Sequence, residues 1–124
     1  MPELPDVEIY RQYFNATALH QEVDSVEVNS ESVLKEITPQ GLGRKLNGRT
    51  FSETDRHGKF IFARLDDTDS WLLLHFGMTG DLEYAKSSNS PPKYELVGIN
   101  FQDGARLSYV MVRKLGEVRV IDSI

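Results

Sequence analysis

Glu95-Leu96-Val97-Gly98-Ile99-Asn100-Phe101 runs into Gln102-Asp103-Gly104 and returns through Ala105-Arg106-Leu107-Ser108-Tyr109-Val110. Two short runs on either side of a turn segment that ends in glycine read as an antiparallel hairpin. The same rhythm continues outward in both directions. Residues 25–28 alternate polar and apolar, and 51–55, 60–65, 71–76 and 81–84 are short runs broken by turn residues. Gly116 precedes a last strand near 118–121. Many short strands of this kind predict a mainly-β chain, an antiparallel two-layer β-sandwich.

Two helices are expected to flank it. Pro5 suits a first helical turn because it has no N–H to leave unpaired, and Asp6 and Glu8 put negative charge at the positive end of the helix dipole. Val7, Tyr10, Phe14 and Ala18 then recur at helical spacing, which predicts a helix over about 5–18 with a core-facing stripe. Thr38-Pro39 opens a second, short helix. Thr38 is placed to cap it, Ile37 to staple against Leu42, and Asn47-Gly48 to stop it. Residues 86–93 read as a flexible loop. No internal repeat and no domain boundary is visible.

The chain has 124 residues, enough for one domain with a modest core. With no cysteine there is no disulfide and no cysteine-ligated zinc site. No apolar run approaches a membrane span, and the N-terminus lacks the regions of a signal peptide, so a cytoplasmic location is the expectation, nucleoid-associated in a bacterium. The net charge of −5 argues against a nucleic-acid binder until its distribution is considered. Acids dominate the first 36 residues. Arg44, Lys45, Arg49, Arg56, Lys59 and Arg64 then crowd together, and Arg106, Arg113, Lys114 and Arg119 follow. A local basic surface of this kind would hold phosphates despite the acidic total.

Chemistry is concentrated in Met1-Pro2-Glu3-Leu4-Pro5-Asp6-Val7-Glu8. Once Met1 is removed, Pro2 is a secondary amine at the N-terminus. An α-amino group has a pKa of about 7.7–8.0, against about 10.4 for lysine, so it is partly unprotonated near neutrality. Such an amine attacks an aldehyde carbon and forms a Schiff base. Glu3 supplies a carboxyl group able to shuttle a proton beside it. With Met1 attached, the Pro2 nitrogen is a tertiary amide and does none of this.

The opening string resembles the MPELPEVE start of the formamidopyrimidine-DNA glycosylase and endonuclease VIII family, with Asp6 where that family usually has glutamate. Three further segments extend the resemblance. Arg56-His57-Gly58-Lys59-Phe60 is similar to the family's lysine-bearing hairpin, which assigns phosphate contact and help in the lyase steps to Lys59. On its own, a lysine at a hairpin tip reads as a solvated side chain. His75-Phe76-Gly77-Met78-Thr79-Gly80 resembles the HLGMSG segment; there His75 would contact a DNA phosphate, and Met78 would fill the space left by an everted nucleotide. Met111-Val112-Arg113-Lys114-Leu115-Gly116 is similar to DPRRFG. Arg113 would probe the orphaned base and Leu115 would wedge beside it, with Met111-Val112 in place of Asp-Pro. Tyr94 falls where the family often has a DNA-contacting histidine.

The resemblance spans the whole chain, read as the N-terminal catalytic domain over 1–124. It implies base-excision repair by a bifunctional glycosylase and abasic-site lyase, with Pro2, Glu3 and Lys59 as catalytic residues and Asp6 as support. His75, Met78, Tyr94, Arg113 and Leu115 would contact DNA. The implied partner is double-stranded DNA carrying an oxidised base or an abasic site, bound by a monomer. No cofactor is expected in this chain, because the family's zinc site and its helix-two-turns-helix lie in a second half that this sequence lacks. A noncatalytic DNA-binding relative that keeps the sandwich is the alternative, supported by the acidic balance and the altered Arg113 segment.

Overall fold

Helix α1 (Leu4–Thr17) lays its apolar stripe on the core: Val7, Phe14 and, just past its end, Ala18 are fully buried, and Tyr10 packs at the margin. The computed structural model describes residues 4–66, 68–77, 80–86, 91–112 and 116–122, with backbone alone for 4–6. The helix stops where His20 takes a left-handed conformation (φ 67°) and its N–H donates to Phe51 O at 2.9 Å.

Eight strands follow: β1 (Val23–Val28), β2 (Phe51–His57), β3 (Phe60–Leu65), β4 (Trp71–His75), β5 (Asp81–Ala85), β6 (Glu95–Phe101), β7 (Arg106–Val110) and β8 (Glu117–Ile121). They form two antiparallel four-stranded sheets, ordered β1-β6-β7-β5 and β2-β3-β4-β8. Ile61, Ala63, Leu65, Leu72, Leu74 and Val118 of one sheet face Leu82, Val97, Ile99, Leu107 and Tyr109 of the other across the core. Helix α1 packs on β2 and β5, where Phe14 meets Phe51 edge-on at 5.1 Å; helix α2 (Pro39–Leu46) packs on β1 and β8. Each helix therefore spans the gap between the two sheets. The expected mainly-β sandwich with two flanking helices is the fold.

Local expectations hold where local chemistry decides. Thr38 Oγ1 accepts from the Gly41 N–H at 2.9 Å, Leu42 and Leu46 are fully buried, and Gly48 exits at φ 78°. Gly104 turns the 102–104 hairpin at φ 91°, a conformation that favours glycine. Strand β2 runs on to His57 although 55–57 are all polar or charged. Its ladder with β3 pairs Arg56 with Ile61 and His57 with Phe60, and pairing outranks propensity. A 3₁₀ turn at Glu31–Val33 buries Val33; three residues carry too little periodicity to announce it.

Arg106 departs most from the sequence reading. The sequence groups it with the phosphate-binding bases, but it is 3% exposed, on the side of its sheet away from the core. Its guanidinium lies over Gly98 and makes a double contact with Glu95, while Nη1 reaches Asn100 Oδ1 at 2.9 Å and Glu27 Oε1 at 3.2 Å. Ser108 and Asn29 also donate to Glu95. Burial would push the Glu95 carboxyl up, but hydrogen bonds from Arg106 and Ser108 and the guanidinium charge hold it below its ordinary range.

Candidate active site

The registers of the two sheets bring one end of the sandwich to a focus. His75 ends β4 opposite Phe60, which begins β3, and opposite Glu117, which begins β8. Val110 ends β7 opposite both Asp81, which begins β5, and Glu95, which begins β6. The β2–β3 hairpin with Lys59, Gly77 and Gly80, Tyr94, and Val112 and Gly116 therefore all lie at this end. Helix α1 directs its N-terminal half here too: Glu8 reaches Arg56, and the Tyr10 hydroxyl donates to Gly80 O at 3.0 Å.

Lys59 sits at the hairpin tip beside Gly58, whose φ of 61° makes the tight reversal possible. Among the described residues it has no carboxylate partner, unlike Arg56, Arg64, Arg119 and Lys45, which pair with Glu8, Glu53, Glu117 and Asp122. Half of the bases over 44–64 are thus neutralised on their own surface, whereas Lys59 has no such partner among the described residues.

His75 is half-buried, with its ring edge-on to Phe60 at 4.8 Å. The Gly77 N–H donates to its Nδ1 at 3.0 Å, so the lone pair lies there and the proton of the neutral ring lies on Nε2. That leaves Nε2–H as a donor for an anionic oxygen. Above it, Tyr10, Phe76 and Tyr109 stack in series, with centroids 4.6 Å and 5.6 Å apart. The Tyr109 hydroxyl donates to His75 O, and the Tyr10 hydroxyl to Gly80 O, so one stack clasps both ends of the 76–80 loop. Burial pushes the Tyr109 phenol well above the usual tyrosine range, which keeps it a donor. Tyr10→Phe is predicted to keep the ring contact, lose about 1 kcal/mol, and raise amide exchange at Gly80. Unchanged exchange at Gly80 would show that the hydroxyl does not hold the loop.

Tyr94 is half-exposed in a left-handed conformation (φ 65°), with Lys93 Nζ 5.2 Å from its ring centroid. Its carbonyl accepts from the Met111 N–H at 3.1 Å, which places it beside the 111–116 loop and the exposed Val112. Lys59, His75 and Tyr94 are thus brought to one end. Pro2, Glu3, Met78, Arg113 and Leu115 lie outside the described residues, as does the side chain of Asp6. No cluster of His, Asp and Glu able to hold a metal occurs among the described residues.

Residues 1–118 match the family model of the formamidopyrimidine-DNA glycosylase N-terminal domain. The chain belongs to that family. It is 33% identical over 125 residues to the formamidopyrimidine-DNA glycosylase of Mycoplasma genitalium, covering 100% of this chain and 44% of that protein. It is 36% identical over 118 residues to that of Geobacter metallireducens, covering 95% and 43%. The Lactococcus lactis Fpg in complex with abasic-site DNA superimposes with a TM-score of 0.87 at 28% identity, over 96% of this chain and 43% of the other. The same enzyme with DNA containing FAPY-dG gives the same score over 96% and 44%. The chain spans less than half the length of these relatives.

Within this N-terminal domain, four residues at the focused end make contacts that the sequence does not announce. Tyr10 and Tyr109 read as apolar members of a helix stripe and a strand, and nothing local announces where a phenol oxygen will point. Glu8 read as a dipole-matching charge, and Arg56 as part of the hairpin motif and of the basic surface, with no partner on α1. Each finds its partner more than thirty residues away.

Proposed function

We propose that this chain is the catalytic half of a base-excision DNA glycosylase and abasic-site lyase that works through the amine of Pro2. The observation that carries the reading is the focus of the N-terminal half of α1, the Lys59 hairpin, His75 and the two loops at one end of the sandwich. The bound partner is damaged double-stranded DNA. Its phosphates are held by the charge of Lys59 and by Nε2–H of His75, and Tyr94 offers a ring to the duplex or to an unstacked base. Swinging the lesion out of the stack is cheapest where the base is damaged or mispaired.

The covalent step balances without a metal. The unprotonated Pro2 nitrogen attacks C1′ as the bond from C1′ to the base breaks, and the base leaves with a proton that Glu3 manages. Opening of the sugar gives an iminium, which acidifies the C2′ proton. Its removal expels the 3′ phosphate, and a second elimination expels the 5′ phosphate. Met78 fills the vacated stack, and Arg113 and Leu115 attend the orphaned base.

The test is borohydride trapping on abasic DNA with Met1 removal verified by mass. A covalent adduct whose mass locates on Pro2 is expected, with complete loss when one residue is added before Pro2. No adduct from a verified N-terminal proline would reject catalysis by this chain. A second reading, DNA binding without catalysis, is favoured by the carboxylate partners of Arg56, Arg64 and Arg119. It predicts retention of abasic DNA with no adduct.

A further inference from the structure

We infer that Glu8, acting through Arg56, is a positioning residue that fixes the hairpin lysine relative to the helix that follows Pro2. The inference rests on the proposed function for its consequence but on geometry for its substance. Glu8 lies on α1, five residues beyond Glu3. Its Oε1 accepts from Arg11 Nε at 3.0 Å and from Arg56 Nε at 3.4 Å, and its Oε2 accepts from Arg11 Nη2 at 2.6 Å. Gln12 adds a fourth donor at 3.3 Å. Arg56 in turn donates from Nη1 to Gly58 O at 3.2 Å, the carbonyl of the residue that makes the reversal before Lys59. One carboxylate and one guanidinium thus connect the helix backbone to the hairpin tip.

A second tie runs parallel to it. Arg11 Nη1 approaches Thr54 Oγ1 at 3.5 Å, and Thr54 donates to Asn15 Oδ1 at 2.5 Å. The helix therefore grips β2 at Thr54 and Arg56, both on the strand that leads into Lys59. All three charged side chains are only about 30% exposed, so water competes weakly for the contacts. Hydrogen bonds from Arg11, joined by those from Gln12 and Arg56, hold the Glu8 carboxyl down at about 2, so its charge is constant across the neutral range.

The arrangement has a chemical consequence. Attack by an amine and phosphate handling by a lysine on a different element must occur in one geometry. A displacement of about 1 Å costs up to about a hundredfold in rate. A hairpin tip has few contacts of its own to set that distance, and the Glu8–Arg56 link supplies one.

The test uses Glu8→Gln, which keeps shape and removes charge, and Arg56→Lys, which keeps charge and removes the two-way fork. The first readout needs no DNA: amide exchange over residues 56–60, and the rate at which an acylating reagent modifies Lys59. Both are expected to rise several-fold in each variant, with no further rise in the double variant. The second readout is borohydride trapping on abasic DNA. The single-turnover rate should fall about tenfold or more, while Kd changes less than about threefold. Unchanged hairpin exchange and Lys59 reactivity would overturn the inference. So would a weakened Kd with unchanged exchange, since it assigns Arg56 to phosphate binding instead. If the unaltered chain forms no adduct, the proposed function fails, and the exchange readout still decides this one.

Discussion

Gly116→Ala is expected to cost about 3 kcal/mol and to lower the melting temperature by roughly 10 °C. A Cβ at this position would overlap the Tyr109 hydroxyl, and would stand 2.5 Å from Met111 Cε and 2.6 Å from His75 O. None of these neighbours can retreat easily. The Tyr109 ring is 3% exposed, packs on Phe76, and donates to His75 O, while Met111 is buried. Relief requires moving the phenol off the carbonyl that ends β4, so the damage falls on the loop that contains Met78. Gly43→Ala is the matched control. It lies in α2 with only Asn47 Nδ2 at 3.8 Å from its Cβ, and removing a helix-interior glycine should be neutral or stabilising by up to about 1 kcal/mol. Urea unfolding of both variants checks the pair; equal stability of the two would show that the crowding at Gly116 relaxes freely.

Arg106→Met should be costlier still, about 3–5 kcal/mol, because it strands Glu95 as a buried charge with the neutral donors Ser108 and Asn29 left beside it. The sign of the double variant is the sharper test. Glu95→Leu with Arg106→Met removes both charges, and about half or more of the lost stability should return. A double variant as unstable as Arg106→Met alone would mean that the pair stabilises the fold outright, and additive losses would mean that the two charges are not coupled. Glu95 directly follows Tyr94, so the single variant should also loosen the left-handed Tyr94. Gly98 belongs to the same argument. Its Cβ would overlap Arg106 Nη2 and stand 2.5 Å from Cζ, so only a glycine lets the guanidinium lie flat on the strand.

How legible the fold was depended on how local its causes are. Thr38 and Pro39 carry their own cap chemistry, and Val7, Phe14 and Ala18 declare a buried stripe by spacing alone. The turn at Gly104 is set by one residue's backbone freedom. The outer face of the β6–β7 pair was not legible. Arg106 read as a surface charge and Glu95 only as the start of a strand, since a charged residue is almost never fully buried unless paired. Their pairing depends on a strand register spanning eleven residues and on a glycine in the adjacent strand.

The candidate site divides along the same line. The sequence alone determined which chemical groups are present: an amine that becomes free once Met1 is removed, a hairpin lysine, a strand-end histidine, and motifs that mark the family. Only the tertiary structure decided that Lys59, His75 and Tyr94 open at one end of the sandwich, and that Glu8, Arg56, Tyr10 and Tyr109 hold that end together. Residue identity is written at one position at a time. The meeting of α1 with a hairpin and a loop forty to seventy residues away is fixed by sheet register and core packing, which belong to the whole chain at once.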